Sequence, residues 1–393
     1  MALINRDLRP FGQMTASSAP ASFEIPKQES LVPVTRSSLP PLEDYIPLLE
    51  QIWQNKQLTN SGTFHQQLER RLCEYLGVPF ISLFSSCTAA LMAALKISNL
   101  EGEVITTPYT FAATAHALMW CNLKPVFVDI DPATANIDPA AIEKAITPRT
   151  CAILAVHCYG QPCDTAAIAE IAQRHNLKVI YDAAHAFAVE DAQGSILNHG
   201  DFSTVSFHGA KVFNTAEGGA LICHDEETKK RIDSFKNFGF TSETSLDVLG
   251  FNGKMSELSA ALGIVQLAHV DRYIAGRQKI DETYRRYLQD IAGIEPFASQ
   301  NVTRCNASYF PVRVTKEFPL SRDDLYEKFK EANILTRRYF HPLVSDFAPY
   351  QQIQGNTPVA KEFSAQVLCL PMYDSLSEED QMRVIAVLKD LSA

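Results

Sequence analysis

Short apolar runs alternate with helical patterns from about residue 80 to residue 223. Seven runs have the composition of buried strands: Phe80–Phe84, Glu103–Thr106, Pro125–Asp129, Ala152–Val156, Val179–Tyr181, Phe202–Ser206 and Ala220–Cys223. Helical patterns lie between most of them, at Thr88–Ile97, Phe111–Trp120, Pro139–Ile146 and Thr165–Arg174. This alternation predicts βαβ crossovers and an α/β fold with a mostly parallel sheet flanked by helices on both faces.

Longer helical patterns flank this region. One runs from Leu42 to Leu76 with a polar break at Leu58–Thr63, and another runs from Ser256 to Leu288. Further elements are predicted as a strand near Tyr309–Val314, a helix near Arg322–Ala332 and a last helix from about Ser377, where Ser-Glu-Glu-Asp has N-cap character. These later elements indicate a smaller α+β part.

Two domains are expected because 393 residues exceed what one hydrophobic core usually supports. We assign a large α/β domain to residues 31–270 and a small C-terminal α+β domain to residues 271–393. Residues 1–30 are rich in Ser, Ala, Pro and Gln and have no periodicity. They are predicted to be a flexible extension outside the catalytic part.

Composition narrows the class of function. Hydrophobic residues make up 46% and charged residues 20%, and the net charge of -10 argues against a nucleic-acid binder, which needs a basic face. No apolar run reaches the roughly 18 residues that span a membrane, and no signal peptide is recognisable. The nine scattered cysteines include no Cys-x-x-Cys pair, so we expect reduced thiols, no metal site and a cytoplasmic protein.

One lysine stands among apolar and small residues just after a predicted strand. Lys211 ends the segment Ser-Phe-His-Gly-Ala-Lys, and burial in such a place lowers the pKa of an amine and frees it to attack a carbonyl. Upstream, the strand Val179–Tyr181 runs into Asp182. A lysine and an acid at neighbouring strand ends fit a site for pyridoxal 5'-phosphate (PLP), where the lysine forms the Schiff base and the acid pairs with the ring nitrogen. Either residue alone is more often structural.

Other segments supply candidates for the rest of such a site. Cys87 and Thr88 open a helix whose amides and dipole favour a phosphate, and Ser206 can add a second hydroxyl. Phe111 can stack on the cofactor ring, and His185 can donate a hydrogen bond to the ring oxygen. Each has a simpler alternative, namely an ordinary helix cap, a core phenylalanine or a structural histidine.

The joint motif set resembles the DegT-type sugar-nucleotide aminotransferases over about residues 40–375. In chain order the motifs are Ser-x-Thr-Ala-Ala-Leu at 86–91, Thr-Phe-x-Ala-Thr at 110–114, Val-His-Cys-Tyr-Gly-Gln-Pro at 156–162, Asp-Ala-Ala-His at 182–185, Ser-Phe-His-x-x-Lys at 206–211, Glu-Gly-Gly at 217–219, Gly-Phe-Asn-Gly-Lys-Met-Ser-Glu-Leu at 250–258 and Leu-Cys-Leu-Pro-Met-Tyr at 368–373. Together they are far more specific than any one of them.

The resemblance implies a fold-type I PLP transferase that works as a homodimer. It makes Lys211 the Schiff-base lysine, places Asp182 at the pyridine nitrogen and has Asn252 reach the phosphate in the partner subunit's site. Two positions depart from the family pattern: Cys87 stands where Gly or Ala is usual, and Gly-Lys at 253–254 replaces an aromatic–Arg pair. The second departure leaves the substrate contacts near that loop open.

The resemblance also implies a ping-pong transamination from an amino acid, usually L-glutamate, to a nucleotide-linked keto sugar. Lys211 then acts as the general base at the donor's Cα. Asp-Ala-Ala-His at 182–185 resembles members that aminate the sugar at C4. Pro-Leu-Glu-Asp-Tyr at 41–45 and the loop at 59–62 resemble members that convert dTDP-4-keto-6-deoxy-D-glucose to dTDP-4-amino-4,6-dideoxy-D-glucose. Amination at C3 and GDP-linked acceptors stay open. A non-catalytic regulatory or binding member of the fold is also an open alternative, although such a member is expected to lose Lys211 or Asp182. A PLP-dependent sugar dehydratase is expected to carry histidine in place of Lys211.

One polar cluster is a candidate for the acceptor's pyrophosphate. Arg337, Arg338, Tyr339 and His341 can meet that group or form a solvated surface. The product's destination, implied by the family alone, is a surface polysaccharide such as the O-antigen of lipopolysaccharide, or a secondary metabolite.

Overall fold

The computed structural model describes residues 31–298, 300–353 and 355–392, so the extension predicted for residues 1–30 lies outside it. From Val32 onward the chain forms one compact unit. Its strands are β1 Phe80–Phe84, β2 Glu103–Thr106, β3 Lys124–Phe127, β4 Thr150–Val156, β5 Lys178–Asp182, β6 Glu190–Asp191, β7 Gly194–Ser195, β8 Phe202–Ser206, β9 Gly219–Cys223, β10 Ile294–Pro296, β11 Phe310–Val314 and β12 Val367–Leu370. Its α-helices are α1 Leu42–Asn55, α2 Thr63–Leu76, α3 Cys87–Ile97, α4 Ala112–Trp120, α5 Pro139–Ala145, α6 Thr165–His175, α7 Glu226–Phe235, α8 Glu257–Leu288, α9 Arg322–Glu331, α10 Pro358–Gln366 and α11 Glu378–Ser392.

A seven-stranded sheet with the order β1-β9-β8-β5-β4-β2-β3 forms the centre of the molecule. The pairs from β8 to β3 are all parallel, whereas β9 pairs antiparallel with both β8 and β1. Every strand except β9 therefore points the same way, which confirms the mostly parallel sheet. The carboxyl ends of these strands meet at one edge, where open α/β sheets bind their ligands.

Alternating side chains of the central strands enter two different cores. In β8, Val205 packs with α2 and α8 on one face, while Phe202 packs with α3 and α7 on the other. In β9, Ile222 and Leu221 divide between the same two faces. The period of two along each strand, with helices covering both faces, explains why these runs read as continuously apolar.

A second, three-stranded antiparallel sheet of order β10-β11-β12 lies in the C-terminal part. Its core contains Ile280, Tyr284 and Leu288 from the end of α8, whereas Ala260 near the start of that helix packs in the core of the central sheet. The proposed domain boundary at residue 270 falls within this continuous helix and stays a prediction. None of the described helices is both long and apolar enough to cross a membrane.

The polar break between α1 and α2 is fixed to the start of α8. Glu257 is 2% exposed, and its carboxylate accepts the backbone N–H groups of Phe64 and His65, each at 2.9 Å. Its own N–H donates to the carbonyl of Leu58 at 2.9 Å. A carboxylate from another element thus caps α2, whose own N-cap residue, Gly62, has no side chain to do so.

Candidate active site

Asp182, the last residue of β5, is a buried carboxylate at the carboxyl edge of the sheet. Its Oδ2 accepts a hydrogen bond from Thr114 Oγ1 at 2.7 Å, and its Oδ1 accepts one from the N–H of Ala184 at 3.2 Å. Burial raises the pKa of this carboxyl, whereas Thr114, Ala184 and the charge of Lys211 act in the opposite direction. Within the described ranges, no side-chain cation forms an ion pair with it.

Lys211 lies in the loop that joins β8 to β9, close to Asp182 and Cys87. Its Nζ donates a hydrogen bond to the hydroxyl of Tyr309 at 3.1 Å. Loss of hydration lowers the pKa of the amine, while the negative or potentially negative groups of Tyr339, Cys87 and Asp182 raise it. The structure therefore brings the two residues singled out by sequence to one place, with an amine that gives up its proton more easily than usual.

The start of α3 lies beside this pair. Ser86 Oγ caps the helix by accepting the N–H of Ala89 at 3.2 Å, and the N–H groups of Cys87 and Thr88 donate to no described residue. A Cβ on Gly219, the first residue of β9, would stand 2.4 Å from the nitrogen of Cys87, so only glycine permits this close approach. The free N–H groups of Cys87 and Thr88 therefore lie next to Gly219, where the chain re-enters the sheet after the loop that carries Lys211.

Ser206 ends β8 at the same edge of the sheet. It is buried, and its Oγ accepts the N–H of His208 at 3.3 Å. Since an accepting hydroxyl still has its own proton to donate, Ser206 can donate a hydrogen bond to an anion that is also bound by the amides of α3.

His185 is buried against aromatic rings, and its tautomer is set by the backbone. Its Nδ1 accepts the N–H of Tyr159 at 3.1 Å, so in the neutral ring the proton is on Nε2. Burial holds the pKa of His185 well below its usual value, which keeps the ring neutral. The ring lies nearly parallel to Phe340, at 7°, and its centroid is 4.5 Å from that of Tyr309. The side chain thus offers one N–H donor.

Two of the predicted residues are exposed and, within the described chain, form no hydrogen bond, ion pair or ring contact with Lys211 or Asp182. Phe111 is the N-cap residue of α4 and is 58% exposed. Asn252 forms an isolated bridge with Asn237, and the adjacent Gly253 carbonyl accepts the N–H of Ser85 at 2.8 Å. In that segment the Lys254 amine is already bound to Asn237 Oδ1 at 2.7 Å. Their roles toward a cofactor stay predictions.

The pyrophosphate candidates separate in the structure. Arg338 pairs with Asp323 at 2.8 Å and lies 4.4 Å from the ring of Tyr326. Arg337 instead lies 4.8 Å from the ring of Tyr339, which in turn is 5.6 Å from the ring of Tyr309. Within this cluster, the Arg337–Tyr339 pair adjoins the site through Tyr309.

Sequence reasoning missed three functional candidates: Tyr309 at Lys211, Thr114 at Asp182, and Tyr159, whose N–H sets the tautomer of His185. Thr114 carried a usable signal, since it ends the motif Thr-Phe-x-Ala-Thr at 110–114. The structure places its hydroxyl 2.7 Å from that of Thr110. Nothing in the sequence pattern near Tyr309 marks it, because it approaches the lysine from the C-terminal part of the chain.

These residues fit PLP. A buried carboxylate without a cationic partner matches a protonated ring nitrogen, and a neutral histidine with one N–H matches the ring oxygen. Free amides at a helix start match a phosphate, and an amine of lowered pKa matches the aldehyde.

Comparison with known proteins supports the same chemistry. The sequence model of the DegT/DnrJ/EryC1/StrS aminotransferase family matches residues 42–389. A dTDP-4-amino-4,6-dideoxy-D-glucose transaminase of Shigella dysenteriae is 53% identical over 360 residues, which are 91% of this chain and 98% of that protein. A protein of the same name from Escherichia coli is 47% identical over 365 residues, covering 92% and 98%.

Solved structures of sugar aminotransferases have the same fold as this chain. DesI, studied in the presence of its TDP-sugar product, superposes with a TM-score of 0.88 at 32% identity, over 92% of this chain and 93% of that one. PseC of Helicobacter pylori, an aminotransferase of pseudoaminic acid biosynthesis, gives 0.85 at 26% identity, over 92% and 99%. These matches extend over most of the chain, and the sheet edge of the fold carries Lys211 and Asp182 together. The chain therefore belongs to the DegT/DnrJ/EryC1/StrS aminotransferase family.

Proposed function

We propose that this aminotransferase moves an amino group from L-glutamate to C4 of dTDP-4-keto-6-deoxy-D-glucose, giving dTDP-4-amino-4,6-dideoxy-D-glucose. The observation that carries the proposal is the near full-length match to two transaminases named for that product. The presence of both Lys211 and Asp182 speaks against a non-catalytic member of the fold. We extend the proposal to the synthesis of a surface polysaccharide such as O-antigen, as the destination of the product.

PLP is the cofactor of this family. When bound, it supplies the electron sink for the pair of electrons left when the donor's Cα loses its proton. We assign its contacts as follows: Asp182 to the ring nitrogen, His185 Nε2–H to the ring oxygen, Phe111 to the ring face, and Ser206 with the amides of Cys87 and Thr88 to the phosphate.

Lys211 has two tasks in this proposal. It anchors the cofactor, and its freed amine takes the proton from the donor's Cα and later returns one. The lowered pKa suits the second task, because a base must be unprotonated at the working pH. The negative charge of ionised Asp182 stabilises a positive charge on the ring nitrogen of the cofactor.

We also propose a homodimer in which Asn252 completes the partner's site. Four large apolar side chains in the segment before Asn252 are exposed: Phe238 at 46%, Phe240 at 43%, Leu246 at 54% and Leu249 at 94%. A cluster of this kind beside polar residues is typical of a protein–protein interface. The exposure of Asn252 next to this cluster supports a role across the interface.

The test is amination by purified protein with PLP, glutamate and a panel of dTDP-, UDP- and GDP-linked keto sugars, with products identified by mass spectrometry and NMR. We expect an amine at C4 of the dTDP sugar and none with Lys211→Ala. Amination of only a 3-keto sugar, or of only a GDP-linked sugar, would reject the assigned acceptor.

A further inference from the structure

We propose that Tyr309 is a positioning residue that holds the amine of Lys211 whenever that amine is not bonded to the cofactor. The proposal rests on the proposed function, because it concerns the interval in which the lysine works as a base. In that interval a polar amine must stay in a desolvated place, and a buried amine without a partner is costly.

The geometry of the contact suits a base. The Nζ of Lys211 donates to the oxygen of Tyr309 at 3.1 Å, so the nitrogen's lone pair is left free to take a proton. After protonation the ammonium can still donate to the same oxygen. One acceptor therefore serves both states of the amine, and the lysine need not move between them.

Tyr309 is itself held by rings on several sides. Its centroid is 4.5 Å from that of His185, 5.6 Å from that of Tyr339 and 5.8 Å from that of Tyr159. Because this packing fixes the ring, the hydroxyl is presented in one place. Burial raises the pKa of Tyr309, so the phenol stays neutral and does not become a competing base.

The backbone before Tyr309 is fixed by a buried arginine. Arg277 is 1% exposed, and its Nη1 donates to the carbonyls of Met372 at 3.0 Å and Ser308 at 3.4 Å. Ser308 is further bound through its hydroxyl to the carbonyl of His185 at 3.2 Å. The residue next to Tyr309 is thus tied both to α8 and to the loop after Asp182, which links the phenol to the site it serves.

The test compares Tyr309→Phe, which removes only the hydroxyl, with Tyr284→Phe. The hydroxyl of Tyr284 is also buried and donates to the carbonyl of Pro371 at 3.1 Å, in the core of the C-terminal sheet. For both variants with PLP bound we would measure kcat and KM for each substrate and the pH profile of kcat. The free amine is followed separately, by the pH dependence of the rate at which PLP added to the apoprotein produces the visible absorbance band. The titratable groups that face Lys211 are Tyr309, Tyr339, Cys87, Asp182 and His185, and Tyr309→Phe changes only the first of them.

We expect Tyr309→Phe to lower kcat about tenfold. An acceptor stabilises an ammonium more than an amine, so its loss lowers the pKa of Lys211 further. The acid limb of the kcat profile and the pH profile of PLP uptake by the apoprotein should both move to lower pH by about one unit. KM for the keto sugar in Tyr309→Phe, and both pH profiles of Tyr284→Phe, should stay as in the unmodified protein.

A Tyr309→Phe protein whose kcat and both pH profiles match the unmodified protein would overturn the proposal, and so would equal shifts in the two variants. Failure of the proposed function is a separate result, since the unmodified protein would then aminate none of the keto sugars. The pH profile of PLP uptake by the apoprotein reports on the free amine of Lys211 even in that case.

Discussion

Thr114 Oγ1 donates a 2.7 Å hydrogen bond to Asp182 Oδ2, which joins the first turn of α4 to the end of β5. The carboxylate at the centre of the site is therefore held by a side chain from a different crossover. Thr110 continues the contact from the loop before α4, with its hydroxyl 2.7 Å from that of Thr114.

Thr114→Val should weaken catalysis at low pH. The substitution keeps the shape but removes a donor to the carboxylate, so the pKa of Asp182 rises above its already raised value. A carboxyl with a higher pKa becomes ionised only at higher pH, so the acid limb of kcat should move up by about one unit. A pH–rate series measures this.

Thr106→Val is the matched control for that series. Thr106 is equally buried in β2, but its hydroxyl has no hydrogen-bond partner among the described residues. Its replacement should leave the profile unchanged. If the two variants behave alike, Thr114 does not act through Asp182.

Gly219→Ala should impair cofactor retention. The new methyl would stand 2.4 Å from the nitrogen of Cys87 and 2.6 Å from the carbonyl carbon of Ser86. Both are backbone atoms, which cannot rotate out of the way as a flexible side chain can. We expect the start of α3 to shift and the PLP dissociation constant to rise at least about tenfold, which is roughly one lost hydrogen bond. Equilibrium dialysis with absorbance detection gives the constant.

Gly77→Ala controls for the general effect of replacing a glycine. Gly77 has a φ of +62° at the end of α2, and a Cβ at this position would have no atom within 4 Å. Alanine here should therefore cost about 1 kcal/mol of stability without changing PLP affinity. Equal loss of affinity in both variants would show that the contact with α3 is not the cause.

Glu257→Gln should destabilise the fold. A glutamine can accept one of the two N–H groups of α2, but its NH₂ then faces the other donor. We expect a loss of about 1–3 kcal/mol in the free energy of unfolding, measured in urea. Exposed Glu50 in α1 supplies the comparison, and a Glu50→Gln protein that loses as much would remove the argument for the cap.

Mixing two inactive variants tests whether the site is shared. If Asn252 acts in the partner's site, a mixed dimer of Lys211→Ala and Asn252→Ala chains contains one intact site. An equal mixture refolded together should regain about a quarter of normal activity if chains pair at random. No recovery, with mixed dimers verified by mass spectrometry, would mean that Asn252 serves its own chain.

Local features of the site were predictable from the sequence. Asp182 directly follows the apolar run Val179–Tyr181, Lys211 lies in the short segment after the run Phe202–Ser206, and Thr88 opens a helix, so each can be recognised from its local sequence. The strand bounds were also close: the predicted Phe202–Ser206 is observed unchanged, and the predicted Val179–Tyr181 gains one residue at each end.

What the sequence did not reveal depends on packing over long distances. Tyr309 is 98 residues from Lys211 and reaches it only because the C-terminal part packs against the sheet edge. Helix α7, Glu226–Phe235, escaped prediction because charged residues dominate it and only Ile232 and Phe235 are buried. Strand β12 follows α10 without a turn signal, so the apolar run Val367–Leu370 had no clear beginning.

The direction of β9 has a consequence for the lysine's freedom of movement. The chain leaves the sheet at Ser206 and returns at Gly219, directly beside it, since these two residues are paired in the ladder. Both ends of the loop that carries Lys211 are therefore anchored on adjacent strands, which limits how far its backbone can shift when the amine is released. Rotation of the long side chain is left as the main way for the amine to leave the cofactor and return to it.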